Sequence, residues 1–237
     1  MRMTLKALAA LLGYPSAELQ ENAAEIGALL RTDGALRKGT LARLQPLIDS
    51  LANDDLLDLQ ITYSDLFDRS RRLSLHLFEH VHGDGRERGQ AMIDLGEQYA
   101  ASGLLLDTRE LPDFVPVFLE YASNLPPREA QAFLAQPAHV FAALAERLDE
   151  REAPYAGIFH ALLALAGVKP DAAALAELQE RQPSEDPAKI DDEWAEAPVT
   201  FLASAAHDMG GPTGVVAKIR ASNRAASREA GNREPGA

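Results

Sequence analysis

Apolar residues recur at helical spacing along nearly the whole chain. Between residues 16 and 30 they fall at Leu19, Ala23, Ile26 and Leu29 or Leu30; between 40 and 51 they fall at Leu41, Leu44, Leu47 or Ile48, and Leu51. Positions three and four apart stack on one side of an α-helix, so each set forms a stripe that has to be buried. A third stretch, with Asn53 as its predicted N-cap, sets Leu56, Leu59, Tyr63, Leu66 and Phe67 on one stripe. The same reading predicts a helix within residues 1–14 and others at 86–102, 112–123, 127–135, 138–150, 154–166 and 171–182. Pro112, Pro127 and Pro154 suit first helical turns, where the missing N–H costs nothing, and Gly13, Gly34, Gly83, Gly103 and Gly167 stand where helices should stop. Leucine and alanine dominate while β-branched residues are sparse, and no period of 20–50 residues repeats. The expectation is an all-α fold, one helical bundle of about nine or ten helices.

The pattern changes after Gln182. Residues 183–198 carry six acids against Lys189 alone, with three prolines and the chain's single tryptophan, Trp194. Residues 217–237 reverse the sign, with Lys218, Arg220, Arg224, Arg228 and Arg233 against Glu229 and Glu234. A segment so rich in Ala, Ser, Gly and Arg has too little apolar surface to order itself. The expected organisation is therefore an all-helical domain at 1–182, an acidic Trp-containing segment at 183–216 and a disordered basic tail at 217–237.

Charge and composition narrow the function. With 23 Lys and Arg against 36 Asp and Glu, the net charge is −13, which argues against a nucleic-acid binder and against docking on anionic lipid. The chain has no cysteine, which removes disulfides, zinc–thiolate sites and thiol nucleophiles. Its longest nearly apolar run, 157–168, is broken by His160 and falls well short of the roughly 20 residues that span a bilayer. Residues 1–14 lack a cleavage pattern and read as a mature helix. These features lead to the expectation of a cytoplasmic protein that is not inserted in a membrane.

The sharpest chemical pattern is His76-Leu77-Phe78-Glu79-His80, which fits H-x-x-E-H. In that motif two histidines one helical turn apart hold zinc and the glutamate acts as base, which makes a zinc-dependent hydrolase the alternative reading. Catalysis would need a third protein ligand, and the same residues can equally satisfy a helix end before Gly83. Gly83-Asp84-Gly85-Arg86-Glu87-Arg88-Gly89 is one residue too long for a dinucleotide fingerprint and follows no strand; a helix–helix turn capped by Asp84 explains it as well. Gly210-Gly211-Pro212-Thr213-Gly214 with Lys218 misses the phosphate-loop spacing, and no nucleophile–base–acid set occurs.

Residues 111–121 differ in kind. Phe114, Phe118 and Tyr121 fall at i, i+4 and i+7 as one aromatic face, with Pro116 inside the helix and Glu110, Asp113 and Glu120 around it. The functional reading is an apolar groove with acidic walls for a basic amphipathic helix, which Tyr63, Leu66 and Phe67 could also line. The other reading is a core helix.

Several runs carry a resemblance: Leu11-Leu12-Gly13-Tyr14-Pro15, Tyr63-Ser64-Asp65-Leu66-Phe67, residues 75–83 continuing to Arg88-Gly89-Gln90-Ala91-Met92, residues 110–123, and Asp192-Glu193-Trp194-Ala195-Glu196-Ala197-Pro198-Val199-Thr200-Phe201. Over about residues 5–202 and in order, they resemble the NarJ group, the nitrate reductase assembly chaperones of the wider TorD/DmsD family of redox enzyme maturation proteins. The resemblance implies an all-helical chaperone with no catalysis and no cofactor or metal of its own. Its partner would be the apo catalytic (alpha) subunit of respiratory nitrate reductase, bound through an N-terminal segment and kept ready for molybdenum cofactor insertion. Molybdenum-cofactor delivery proteins are further candidate partners. The wider family's E-P-x-D-H motif appears here as Glu110-Leu111-Pro112-Asp113-Phe114, with the proline shifted and phenylalanine in place of histidine. The candidate partner-binding residues are thus Tyr63, Leu66, Phe67, Glu110, Asp113, Phe114, Phe118, Glu120 and Tyr121. A structural subunit that stays in the mature complex is a third reading.

Overall fold

The computed structural model describes residues 1–82, 86–106 and 110–180 of the 237. They belong to one compact unit spanning Met1–Glu193. The predicted boundaries at 183 and 217, the acidic segment, the basic tail and both glycine-rich loops lie outside the described residues wholly or at their centres.

Among the described residues the chain forms eleven α-helices: α1 Arg2–Leu11, α2 Ala17–Asp33, α3 Lys38–Asn53, α4 Leu56–Phe67, α5 Leu77–His82, α6 Arg86–Ala101, α7 Val115–Asn124, α8 Pro127–Ala135, α9 Ala138–Glu150, α10 Ala156–Ala166 and α11 Ala172–Glu180. A single 3₁₀ turn, Arg71–Leu73, precedes α5. The all-α expectation holds; the helix beyond the expected count is α5, six residues that are too short to show a period.

Helix α10 lies at the centre, packed against α3, α8 and α9. Its sequence is apolar on every side apart from His160, as a helix surrounded by others must be. Gly157 lets it approach α3: a Cβ there would lie 2.4 Å from the Arg43 carbonyl oxygen. Helix α1 crosses α2 and α7, burying Leu5, Leu8, Leu11 and Leu12. The end of α10 is set by Gly167 at φ 66°, a left-handed conformation that costs other residues a steric penalty.

Three local expectations need correction. Asn53 does not start α4; it is the last residue of α3, its side-chain amide bonded back to the Asp49 carbonyl at 2.7 Å. The N-cap of α4 is Asp55, whose Oδ1 accepts from the N–H groups of Leu57 and Asp58 at 2.9 and 3.4 Å. Pro112 and Pro154 precede their helices and do not open them. The Pro112 carbonyl instead accepts the Tyr99 hydroxyl at 2.9 Å, and α7 begins three residues later, with Pro116 inside it, in the first turn.

Candidate partner-binding cleft

The cleft is built where two connecting segments meet. The residues before α5 run antiparallel to those before α7, with His76 paired opposite Phe114. The Leu77 N–H donates to the Asp113 carbonyl at 3.0 Å and the Val115 N–H donates to the Leu75 carbonyl at 2.9 Å. Asp113 is fully buried beneath this pairing. Its Oδ2 accepts the Phe78 N–H at 3.1 Å, capping the start of α5, and its Oδ1 lies 3.2 Å from His76 Nδ1. From α9, buried Arg147 donates to the Arg72 carbonyl at 2.6 Å and pins the 3₁₀ turn.

A cleft of about 700 Å³ opens above this frame. Its aromatic wall comes from Tyr14, Tyr63, Phe67 and Phe114, and its polar rim from Asp68, Arg71, His76, Glu79 and Glu110. Tyr63 is fixed from both ends. Its hydroxyl donates to the Leu12 carbonyl at 3.0 Å, and its ring meets Tyr14 edge-on at 5.4 Å and Phe67 at 4.8 Å. Burial, then the Tyr155 hydroxyl and the carboxylates of Asp68 and Glu110, push the Tyr63 phenol far above its ordinary pKa. Asp68 and Glu110, distant in sequence, therefore act on one point. Neither carboxylate has an ion-pair or hydrogen-bond partner among the described residues. Glu79 is held at 3.0 Å by Arg88.

The structure divides the nine candidate residues. Tyr63, Phe67, Glu110 and Phe114 line the cleft together. Asp113 lies under it, with its carboxylate bonded within the protein. Leu66 is buried in the core, and so are Phe118 and Tyr121. Phe118 stacks on Phe133 at 4.1 Å and Tyr121 packs on Tyr99 at 4.4 Å, so the aromatic stripe of α7 faces inward and only Phe114, ahead of the helix, reaches the cleft. Glu120 is exposed on α7 and does not line the cleft. Sequence reasoning missed Tyr14 and Asp68. Tyr14 follows α1 outside any periodic stripe, and Asp68 reads as an ordinary solvated helix end.

The three side chains of H-x-x-E-H turn to three different partners. His76 precedes α5 and faces Asp113, Glu79 faces Arg88, and His80 Nε2 sits 2.8 Å from the Ser74 carbonyl. Loss of hydration lowers the His80 pKa below its ordinary value, with the Ser74 carbonyl partly opposing it. Among the described residues no three His, Cys, Asp or Glu side chains gather as a metal site, and no helix is long and apolar enough to cross a membrane.

The cleft is aromatic, with carboxylates on its rim, on an all-helical frame, and the relatives of the chain give it a context. Residues 33–161 match the family model described as nitrate reductase delta subunit. The chain belongs to this family. It is 42% identical over 194 residues to the nitrate reductase molybdenum cofactor assembly chaperone NarJ of Escherichia coli K12, covering 81% of this chain and 82% of that one. To NarW of the same strain, assigned to the same chaperone class, it is 40% identical over 199 residues, 84% of this chain and 83% of the relative. The fold of this chain also matches a crystal structure from Archaeoglobus fulgidus of a protein assigned to redox enzyme maturation. That match has a TM-score of 0.51 and 22% identity, covering 71% of this chain and 94% of the other.

Proposed function

We propose that this chain is a molybdenum cofactor assembly chaperone for nitrate reductase that holds the apo catalytic subunit through a basic, amphipathic N-terminal segment. The observation carrying this reading is the cleft between α4, α5 and the approach to α7, taken with membership in the delta-subunit family. Phe67, Phe114 and Tyr14 supply apolar contact, and Asp68 and Glu110 supply an attractive field for a cationic segment. Such a site favours capture followed by release, because exposed charge pairs are individually weak. The chain itself catalyses no step in this reading. It works in the cytoplasm and leaves before the reductase is complete. Molybdenum-cofactor delivery proteins are its second class of partner.

Deletion of the gene tests the reading. The reductase subunits should still be synthesised, with the catalytic subunit empty of molybdenum cofactor, as measured by metal and pterin content after purification. Normal cofactor content in the deletion strain would overturn the proposal. Recovery of this chain in stoichiometric amount from the mature reductase would instead favour a resident subunit.

A further inference from the structure

Three of the polar groups that line the cleft without a partner are acceptors, beside the Tyr14 hydroxyl, which can donate or accept. Asp68 and Glu110 are two of them. The third is set by Asp113. A carboxylate can only accept, so the proton shared by Asp113 Oδ1 and His76 Nδ1 at 3.2 Å belongs to the imidazole. With its other oxygen occupied by the Phe78 N–H and no exposure to solvent, Asp113 cannot turn away. In the neutral form of the ring that proton leaves the lone pair on Nε2, which has no partner among the described residues, and the ring forms part of the cleft wall. Phe114 lies 5.4 Å from it at 33°, so a flat apolar face adjoins the acceptors. Arg71, which also lines the cleft, already has an interaction of its own.

We infer that His76, oriented by buried Asp113, reads an arginine side chain of the captured segment, with Glu110 and the Phe114 ring completing the pocket. This inference rests on the chaperone reading and adds the chemistry of recognition to it. A guanidinium is planar, offers only donors and stacks on an aromatic face, which matches an acceptor-lined slot beside Phe114. An ammonium of lysine satisfies the charge but neither the plane nor the fork. His76 is thus a specificity-determining residue and Asp113 a positioning residue.

The test uses the full chain and synthetic peptides of the catalytic subunit's N-terminal segment, each with one arginine replaced by norleucine. Against the wild type, one such replacement should weaken binding by about tenfold, the order of one hydrogen bond to a charged group. Against His76→Phe, which keeps an aromatic ring and removes the acceptor, the same replacement should cost almost nothing further. Asp113→Asn should act like His76→Phe, because an amide N–H donating to Nδ1 moves the imidazole proton to Nε2 and presents a donor to the guanidinium. Nitrogen-15 shifts of His76 should report that change of tautomer without any peptide. If Asp113→Asn does not fold, His76→Phe decides alone, its melting curve being compared with that of the wild type. Peptides that bind wild type and His76→Phe with equal loss at every arginine would overturn the inference and leave the chaperone reading standing. No binding of the unmodified peptide to the wild type would overturn this route of capture and the inference together.

Discussion

Phe114 and Phe118 stand one helical turn apart in sequence and do different work. Phe118 is 4% exposed and stacked on Phe133, so Phe118→Ala removes a filled core volume. It should cost about 3–5 kcal/mol of folding stability, read from a urea melt. Phe114 is half-buried at the cleft wall, and Phe114→Ala should leave the melt nearly unchanged while weakening capture of the partner segment by about 2 kcal/mol or more, as truncation of an aromatic anchor does. An unchanged melt for Phe118→Ala, or unchanged binding for Phe114→Ala, would show that the two roles are assigned to the wrong rings. The reason for the division is that α7 begins only at Val115. Phe114 has an extended backbone and its side chain leaves the stripe that Phe118 and Tyr121 continue.

At the scale of elements, the join between α3 and α4 sets the angle at which Tyr63 and Phe67 enter the cleft. Two residues there are good caps by type, Asn53 and Asp55, and only Asp55 accepts the orphan N–H groups of the next helix. Asp55→Ala should therefore cost about 1 kcal/mol in a thermal or denaturant melt, while Asn53→Ala should change stability by a few tenths at most. Equal effects would mean that the cap is shared. The approach to α5 follows the same logic with a side chain from far along the chain: Asp113, 35 residues after Phe78, caps its first turn. A helix of six residues is not stable by itself, so α5 exists because the segment before α7 lies against it.

The whole molecule is acidic, yet its response to mild acid should depend on histidine. The folded His80 pKa lies below the ordinary value of 6.5, chiefly because the ring is stripped of water. His139 shifts the same way for the same first cause. The unfolded chain therefore binds more protons than the folded one as pH falls through 6.5. Stability is at its full value above that pH and is lost as pH drops toward the folded pKa. Melting temperatures measured between about pH 7.5 and pH 5 should decline, and His80→Gln, which keeps a donor for the Ser74 carbonyl, should flatten that decline. An identical slope in the variant would place the acid sensitivity elsewhere.

The sequence by itself determined the longer helices and the family. A 3.6-residue period is a local property, so α2, α3, α8 and α9 are legible within a residue or two of their ends, apart from the last turn of α2. The order of the motifs likewise carries the resemblance without any coordinates. Periodicity finds which side of a helix is apolar, and it cannot say what that side meets. In α7 the aromatic stripe met Phe133, Phe141 and Tyr99, and became core. Beside Tyr63 and Phe67 from the α4 stripe, the cleft takes residues that break the pattern: Tyr14 after α1, Asp68 after α4, and His76, Glu110 and Phe114 in the connecting segments. Only the tertiary structure brings these together, because the pairing of residues 75–77 with 113–115 is a long-range contact that no local rule anticipates. The same pairing turns Asp113 from an apparent surface acid into a buried group that holds a histidine.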